Sequence, residues 1–288
     1  MRPLSEQKTV AVIVPAFRAE PTIVPTVQSV VAQTYPHWEI LLISDDGVDY
    51  ESLLGANGIA DPRIKQVASG KLGGGASAAR NVALELSTAP YAAILDADDR
   101  FKPEKLARAV AALDHHAIVS TALDVMTDDF THLRYVATGE DRVITPGAHK
   151  WLNLSMDSML VWDRQRTDGR YDPTLSNMTD LEFLLQLYRQ TPTSFHLGAP
   201  LHDYIKRSTS MSNGANVAAG MIASKRAIVA RLEQGYYGLP DGEAEGVLAF
   251  LAISLEAEAL YGDALAARPG LLFEDHIEPK LQAATTRP

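Results

Sequence analysis

The chain has 288 residues, 46% of them hydrophobic, with 36 acidic against 26 basic side chains, a net charge of −10 and no cysteine. That length can bury a substantial core as one large domain or a domain with an extension, while the missing cysteines exclude disulfide frameworks, thiolate zinc sites and thiol nucleophiles. The acidic balance argues against a nucleic-acid partner; without an apolar run of ~18–20 residues or a secretion signal, the expectation is a soluble cytoplasmic protein with no transmembrane segment.

Thr9–Val14 is a β-branched run that stops at Pro15, apolar on both faces as in a buried parallel strand. Pro21–Gln33 carries Ile23, Val27, Val30 and Val31 at helical spacing. Trp38–Ser44 reads as a second buried strand ending at Asp45-Asp46-Gly47, followed by a weak helix over Tyr50–Ile59 and a short strand over Arg63–Val67. Three glycines lead into an Ala-rich helix, Ala76–Leu86. Tyr91–Leu95 is another buried strand and ends at Asp96. Pro103–Asp114 is a helix with proline near its first turn, where a missing N–H costs nothing. Ala117–Ala122 is a fifth strand.

This strand–helix alternation predicts a doubly wound α/β fold with a mostly parallel sheet. Ligands of such sheets bind beyond the carboxyl ends of the strands, where Pro15-Ala16-Phe17, Asp45-Asp46 and Asp96–Asp99 converge. Past residue 122 the pattern weakens. Asp124–Lys150 has room for one or two strands, Leu152–Trp162 for another, and Thr179–Gln190 is an amphipathic helix. Pro200–Ser212 reads as strand then polar loop; Val217–Gln234 and Glu243–Leu260 read as a helical hairpin.

Asp96-Ala97-Asp98-Asp99 places three carboxylates in four residues after an apolar strand. Such charges raise one another's pKa, and a divalent cation such as Mg²⁺ or Mn²⁺, which bridges carboxylates to phosphate oxygens, relieves that cost. The competing reading is a solvated turn before Pro103. Asp45-Asp46-Gly47 is equally an ordinary turn or an acceptor for a base N–H. Lys71–Asn81 is a glycine-rich lead-in to a helix whose N–H groups suit phosphate. Its loose match to a dinucleotide fingerprint, with Asp96 about 20 residues on, follows a short polar strand that is not the first, which weakens a dehydrogenase reading.

Taken together, Val12–Gly47, the LGGGASAARNVAL stretch and YAAILDADDRFKP resemble family 2 glycosyltransferases, inverting enzymes of the GT-A class. The resemblance covers residues 9 to about 105 closely and continues more weakly to about 212. It implies a GT-A domain over residues 1–212, with a nucleotide-sugar half to about 122 and an acceptor half to 212, and a C-terminal helical extension over 213–288. By the same resemblance, Pro15 and Phe17 line the nucleotide base, Glu20 lies near base and ribose, and Asp46 or Asp45 accepts from a uracil N–H. Arg80 lies near the donor, Asp96 near ribose, and Asp98, with Asp99 as an alternative, on the metal of the diphosphate. His202 is a candidate further metal ligand. Lys206 and Arg207 bring positive charge to the diphosphate, and Asp180 is the candidate base with Glu182 in reserve. Thr179 stands where the family usually has an acid. Trp151, Trp162 and Tyr171 fall where acceptors bind, and at least one reads as core.

The reading is thus a metal-dependent glycosyltransferase taking a UDP-sugar, with a saccharide or lipid-linked acceptor in bacterial polysaccharide or glycolipid synthesis. Its alternatives are a sugar nucleotidyltransferase and a non-catalytic nucleotide-sugar binder. The former normally carries a basic glycine-rich loop after strand one, where this chain has PAFRAEP. The helices past 215 are open to three roles: packing on the domain, forming a homodimer, or resting peripherally on the inner face of a membrane. Lys225, Arg226 and Arg231 leave the last role open for the first of them; the glutamates of the second argue against it.

Overall fold

The computed structural model describes residues 8–152, 157–206 and 217–285. The first part of the chain alternates as β1 (Val10–Ala16), α1 (Ile23–Val31), β2 (Trp38–Ser44), α2 (Tyr50–Ala56), β3 (Ile64–Ala68), α3 (Ala76–Leu86) and β4 (Tyr91–Ile94). There follow β5 (Arg100–Phe101), α4 (Lys105–Leu113), β6 (Ile118–Met126), β7 (His132–Val136), β8 (Arg142–Ile144), α5 (Pro146–Leu152), a 3₁₀ turn at Asp157–Met159 and β9 (Leu160–Asp163). The remainder is α6 (Thr179–Tyr188), β10 (Ser194–Ile205), α7 (Val217–Glu233), α8 (Glu243–Ala267) and α9 (Phe273–Thr285).

One sheet runs β3-β2-β1-β4-β9-β6-β10-β5, with β7 on β6 and β8 on β10. Strands β3, β2, β1 and β4 pair in parallel, β10 is parallel to β6, and β9 is inverted between β4 and β6. Strands β3, β2, β1, β4, β6 and β10 therefore share one direction, and their carboxyl ends share one edge. The expected α/β sheet with a helical extension is what the structure has.

Side chains alternate across each strand, and both faces are covered. Val10, Val12 and Val14 pack on the α1 and α4 side with Ile23, Val27 and Leu106. Ile13 and Ile43 pack on the other side with Ala79, Ala83 and Phe183 of α3 and α6. That two-sided burial explains why these strands read as uninterrupted apolar runs. β1 runs on through Pro15 to Ala16, past the expected stop. Beyond Ile13 it has β2 alone beside it, because its pairing with β4 ends there, so the missing proline N–H falls where the ladder has already opened.

The middle of the chain departs most from expectation. Asp124–Lys150 does contain β7 and β8, but also α5. Of the apolar stretch Leu152–Trp162, Leu160–Trp162 is strand and Asp157–Met159 is a 3₁₀ turn. α9 lies within the expected helical extension but past the two helices read from the sequence, and it holds Pro279 inside it.

The C-terminal helices pack on α6. Leu181 and Leu185 of α6 share one buried cluster with Ile228 and Leu232 of α7 and Val247 and Phe250 of α8. α7 spends its cations inward: Lys225 Nζ lies 2.6 Å from Glu258, both buried, and Arg231 bonds to Asp172 and Glu182. Arg226 alone of the three basic residues considered for a membrane face is exposed. Among the described residues no helix is long and apolar enough to cross a membrane. Lys225→Met leaves the Glu258 carboxylate buried without its cation, which costs about 3–5 kcal/mol, whereas Lys225→Met with Glu258→Leu recovers most of it. Urea denaturation reads both; an unchanged midpoint for the single variant would mean the pair contributes nothing.

Candidate active site at the carboxyl edge of the sheet

The loop after β1 presents Phe17, 51% exposed, and exposed Glu20. Beside it the bend after β2 carries two aspartates with different partners. Asp45 is buried and accepts from Ser69 Oγ (2.6 Å), Gly74 N–H (3.0 Å) and Gly75 N–H (2.9 Å). The amides of the glycine-rich loop that could have cradled phosphate are therefore directed at a carboxylate, which removes the structural basis of the dinucleotide reading. The loop reaches Asp45 only through left-handed backbone at Gly73 (φ 68°) and Gly75 (φ 91°).

Asp46 is half-buried. Its oxygens accept from Arg18 N–H (2.5 Å), Tyr50 Oη (2.7 Å), Val48 N–H (3.1 Å) and Ser44 Oγ (3.2 Å). Burial opposes its ionisation, but these bonds hold its pKa below the usual carboxylate range. Two donors per oxygen fill a carboxylate's lone pairs. The expectation that Asp46 accepts from a base N–H thus meets a different arrangement: Asp46 ties the Phe17 loop to β2.

The centre of the edge is a buried cation between two acids. Arg80 of α3, 7% exposed, reaches Asp96 at the end of β4 (2.6 Å) and Asp157 in the 3₁₀ turn (3.3 Å). Burial works against its charge, and the two aspartates keep it charged. Tyr171 donates to the same Asp157 oxygen at 2.6 Å, and its ring stacks on Phe183 at 4.2 Å. Asn81, next to Arg80, fixes Tyr171 by both its N–H (2.9 Å) and its carbonyl (2.8 Å). Burial pushes Asp157 up to about 6, helped by Asp96 and Asp180 and opposed by Arg80. The sequence reading missed Asp157; its signal was a lone acid inside an apolar run.

The acidic turn divides. Asp98 is half-buried near Asp96. Asp99 is 1% exposed and turned inward, accepting from Ile205 N–H (2.8 Å) and contacting His202 Nε2 (3.0 Å). His202 Nδ1 meets Lys105 Nζ at 3.0 Å, and Lys105 also donates to the Ser158 carbonyl (2.7 Å). All three side chains are buried. Burial pushes Asp99 up and both His202 and Lys105 down. Both His202 nitrogens are engaged, one by Asp99 and one by Lys105.

Asp180 lies in the first turn of α6, behind Met178 in left-handed backbone (φ 58°). Lys150 of α5 is buried near it; burial drives this lysine down to about 8 while Asp180 acts in the other direction. Glu182, the reserve base, faces the other way: it is fully buried, on Arg231 (3.0 Å) and Gln186 (3.0 Å). Of the aromatics assigned to the acceptor, Trp162 and Tyr171 are core, and Trp151 packs on α8, donating to the Gly246 carbonyl at 2.9 Å. Pro15 is half-buried at the end of β1, and Lys206 half-buried after β10; Arg207 lies outside the described residues.

The sequence profile described as Glycosyl transferase family 2 matches residues 11–166, more than half of the chain. The chain belongs to glycosyl transferase family 2. TuaG of Bacillus subtilis, a glycosyltransferase named for teichuronic acid biosynthesis, is 29% identical over 213 residues, covering 73% of this chain and 84% of TuaG. Escherichia coli WfgD, named as a UDP-Glc:α-D-GlcNAc-diphosphoundecaprenol β-1,3-glucosyltransferase, is 37% identical over 97 residues, 34% of this chain and 38% of WfgD. The crystal structure of Staphylococcus aureus TarS residues 1–349 with UDP superposes with a TM-score of 0.69 at 16% identity, covering 91% of this chain and 76% of that one. At that identity the likeness speaks for the fold, which is the GT-A fold of this family.

Asp157 also sets a pH test. Its pKa is raised from 3.8 to about 6 on folding, so the folded state holds the proton more tightly. Its contribution to stability is full below its unfolded pKa and is lost as pH rises through about 6. Buried His149, pushed down to about 3, has the opposite slope. Subtracting the unfolding free energy of Asp157→Asn from that of the wild type therefore isolates the Asp157 contribution. The difference should fall between pH 4 and 6; a flat difference would count against the Asp157 environment described here.

Proposed function

We propose that this family 2 glycosyltransferase is an inverting enzyme that moves a sugar from a UDP-sugar to an acceptor hydroxyl. The observation that carries this reading is the unbroken charge sequence Asp96–Arg80–Asp157, with Asp180 close enough to raise Asp157. It supports reading Asp96 as the carboxylate for the donor ribose and Asp180 as the carboxylate for proton removal.

Phe17 offers an exposed ring for stacking on the base, with Pro15 lining it, while Asp46 holds that loop in place. Glu20 and Asp96 face the ribose, and Arg80 fixes Asp96. Asp98 is the residue that would hold Mn²⁺ or Mg²⁺. Its oxygen chemistry suits either ion, and ions of this kind complete their shell from substrate phosphates and water. The fit is to a shared site: among the described residues no group of three or more His, Asp or Glu side chains is arranged to hold an ion by itself. When bound, the ion offsets charge building on the leaving diphosphate. Lys206 adds positive charge for the diphosphate, as the family resemblance also assigns to Arg207, and Asp99 with His202 supports the turn from behind.

Asp180 takes the proton of the acceptor hydroxyl. The acceptor oxygen bonds to the anomeric carbon as the bond from that carbon to the diphosphate oxygen breaks, and UDP leaves with the electron pair. A single displacement inverts the anomeric centre. The choice of uridine draws support from TarS, solved with UDP and with UDP-GlcNAc, and from the UDP-Glc in the name of WfgD. A saccharide or lipid-linked acceptor in bacterial polysaccharide or glycolipid synthesis draws support from the names of TuaG and WfgD.

Thermal unfolding with UDP, UDP-glucose, UDP-galactose, UDP-N-acetylglucosamine, GDP-mannose and NADH, each with and without Mn²⁺, tests the donor. At about 100 times Kd the stabilisation is roughly 2.7 kcal/mol, or about 5–10 °C. A manganese-dependent shift with uridine compounds is expected; none with any nucleotide, or one with NADH alone, would overturn the reading. Asp98→Asn should lose the manganese-dependent part of the shift. Asp180→Asn should keep UDP binding and lower turnover at least 100-fold; wild-type turnover would remove Asp180 as the base.

A further inference from the structure

Glu182 follows the proposed base by two residues on α6, yet it is fully buried and serves a different element. Its carboxylate accepts from Arg231 of α7 at 3.0 Å and from Gln186 at 3.0 Å, with Tyr237 Oη at 3.5 Å. Burial raises its pKa, and Arg231 is among the groups that oppose the rise. The other arm of the same guanidinium donates to Asp172 at 2.5 Å. Asp172 is also fixed by Thr174, through its N–H (2.8 Å) and its hydroxyl (2.6 Å). It directly follows Tyr171, whose hydroxyl holds Asp157 and whose backbone is pinned by Asn81. One side chain from the C-terminal extension therefore bridges the helix that carries Asp180 and the segment that carries Tyr171. The leucines around it supply adhesion without direction; the fork of Arg231 supplies direction, since two arms fix two carboxylates at once.

We infer that the C-terminal helices act on the transfer step through Arg231, a positioning residue that sets α6, and with it Asp180, against the Tyr171–Asp157 side of the site. The inference rests on the reading of Asp180 as the base. It gives the extension a part in catalysis that neither a dimer contact nor a membrane face would give it. It also explains why α7 carries its arginine inward, next to a carboxylate that the chemistry does not use.

The test is steady-state release of UDP from UDP-glucose, UDP-galactose and UDP-N-acetylglucosamine with water as acceptor, well below the melting temperature of each variant. Arg231→Met is expected to lower kcat at least tenfold with donor KM within twofold of wild type and with the UDP–Mn²⁺ thermal shift retained. Arg231→Lys, which has a point charge in place of a fork, should recover part of the loss. If Arg231→Met does not fold, Glu182→Gln with Arg231→Gln removes both charges together and is expected to show the same kcat loss. A folded variant that melts lower but keeps wild-type kcat would reduce Arg231 to a structural role and overturn the inference. Asp180→Asn is run in parallel. If it keeps its kcat, the base reading has failed; if it is inactive while the Arg231 variants turn over normally, this inference alone has failed.

Discussion

The whole edge of the sheet is organised by one buried cation. Arg80 cannot shed its proton, so its burial requires anions, and it takes two from different elements: Asp96 from the end of β4 and Asp157 from the 3₁₀ turn before β9. That requirement brings α3, β4 and the 3₁₀ turn to a point. The next residue extends the constraint: Asn81 clamps the backbone of Tyr171, and Tyr171 returns to Asp157 with its hydroxyl. Two consecutive side chains on α3 thus place the Asp96 carboxylate, the buried acid Asp157 and the aromatic core residue Tyr171.

A second buried unit plays the matching part on the other side of the acidic turn. Asp99, His202 and Lys105 run in line from the turn through β10 to α4, ending on the carbonyl of Ser158 in the same 3₁₀ segment. Asp99 also takes the Ile205 N–H at the close of β10. The turn bearing Asp98 is therefore anchored at both ends, by Arg80 on Asp96 and by β10 on Asp99, which leaves Asp98 between two fixed neighbours. Polar groups at such depth are costly unless hydrogen-bonded, and here each of the three has a hydrogen-bond partner.

The first half of the fold was legible because its strands are covered on both faces and so appear as apolar runs between polar turns; Trp38–Ser44 and Ala76–Leu86 match β2 and α3 residue for residue. The middle was not. β7 and β8 are short and partly exposed, without an apolar run to announce them. α5 opens with Pro-Gly, a pair that reads as a turn. At the site, residue types were visible but directions were not. Nothing in Asp45-Asp46 or Asp98-Asp99 says which carboxylate turns inward; that depends on which strand or loop brings donors to it. Asp45 is drawn in by Gly74 and Gly75, Asp99 by Ile205 and His202. Glu182 had the chemistry of a base and the address of a packing residue, a distinction set by α7, about 50 residues later in the chain.

The cluster shared by α6, α7 and α8 also fixes where this protein can be cut and recombined. A fragment ending after β10 would expose Leu181 and Leu185 and strip Glu182 of its cation, although every strand of the sheet would be present. A hybrid that took α6 from one relative and α7 from another would have to match a carboxylate at 182 with a guanidinium at 231 and a second carboxylate at 172. The segment that can be exchanged as a unit therefore begins before Tyr171 and continues at least through Phe250, across the boundary that sheet topology alone would suggest.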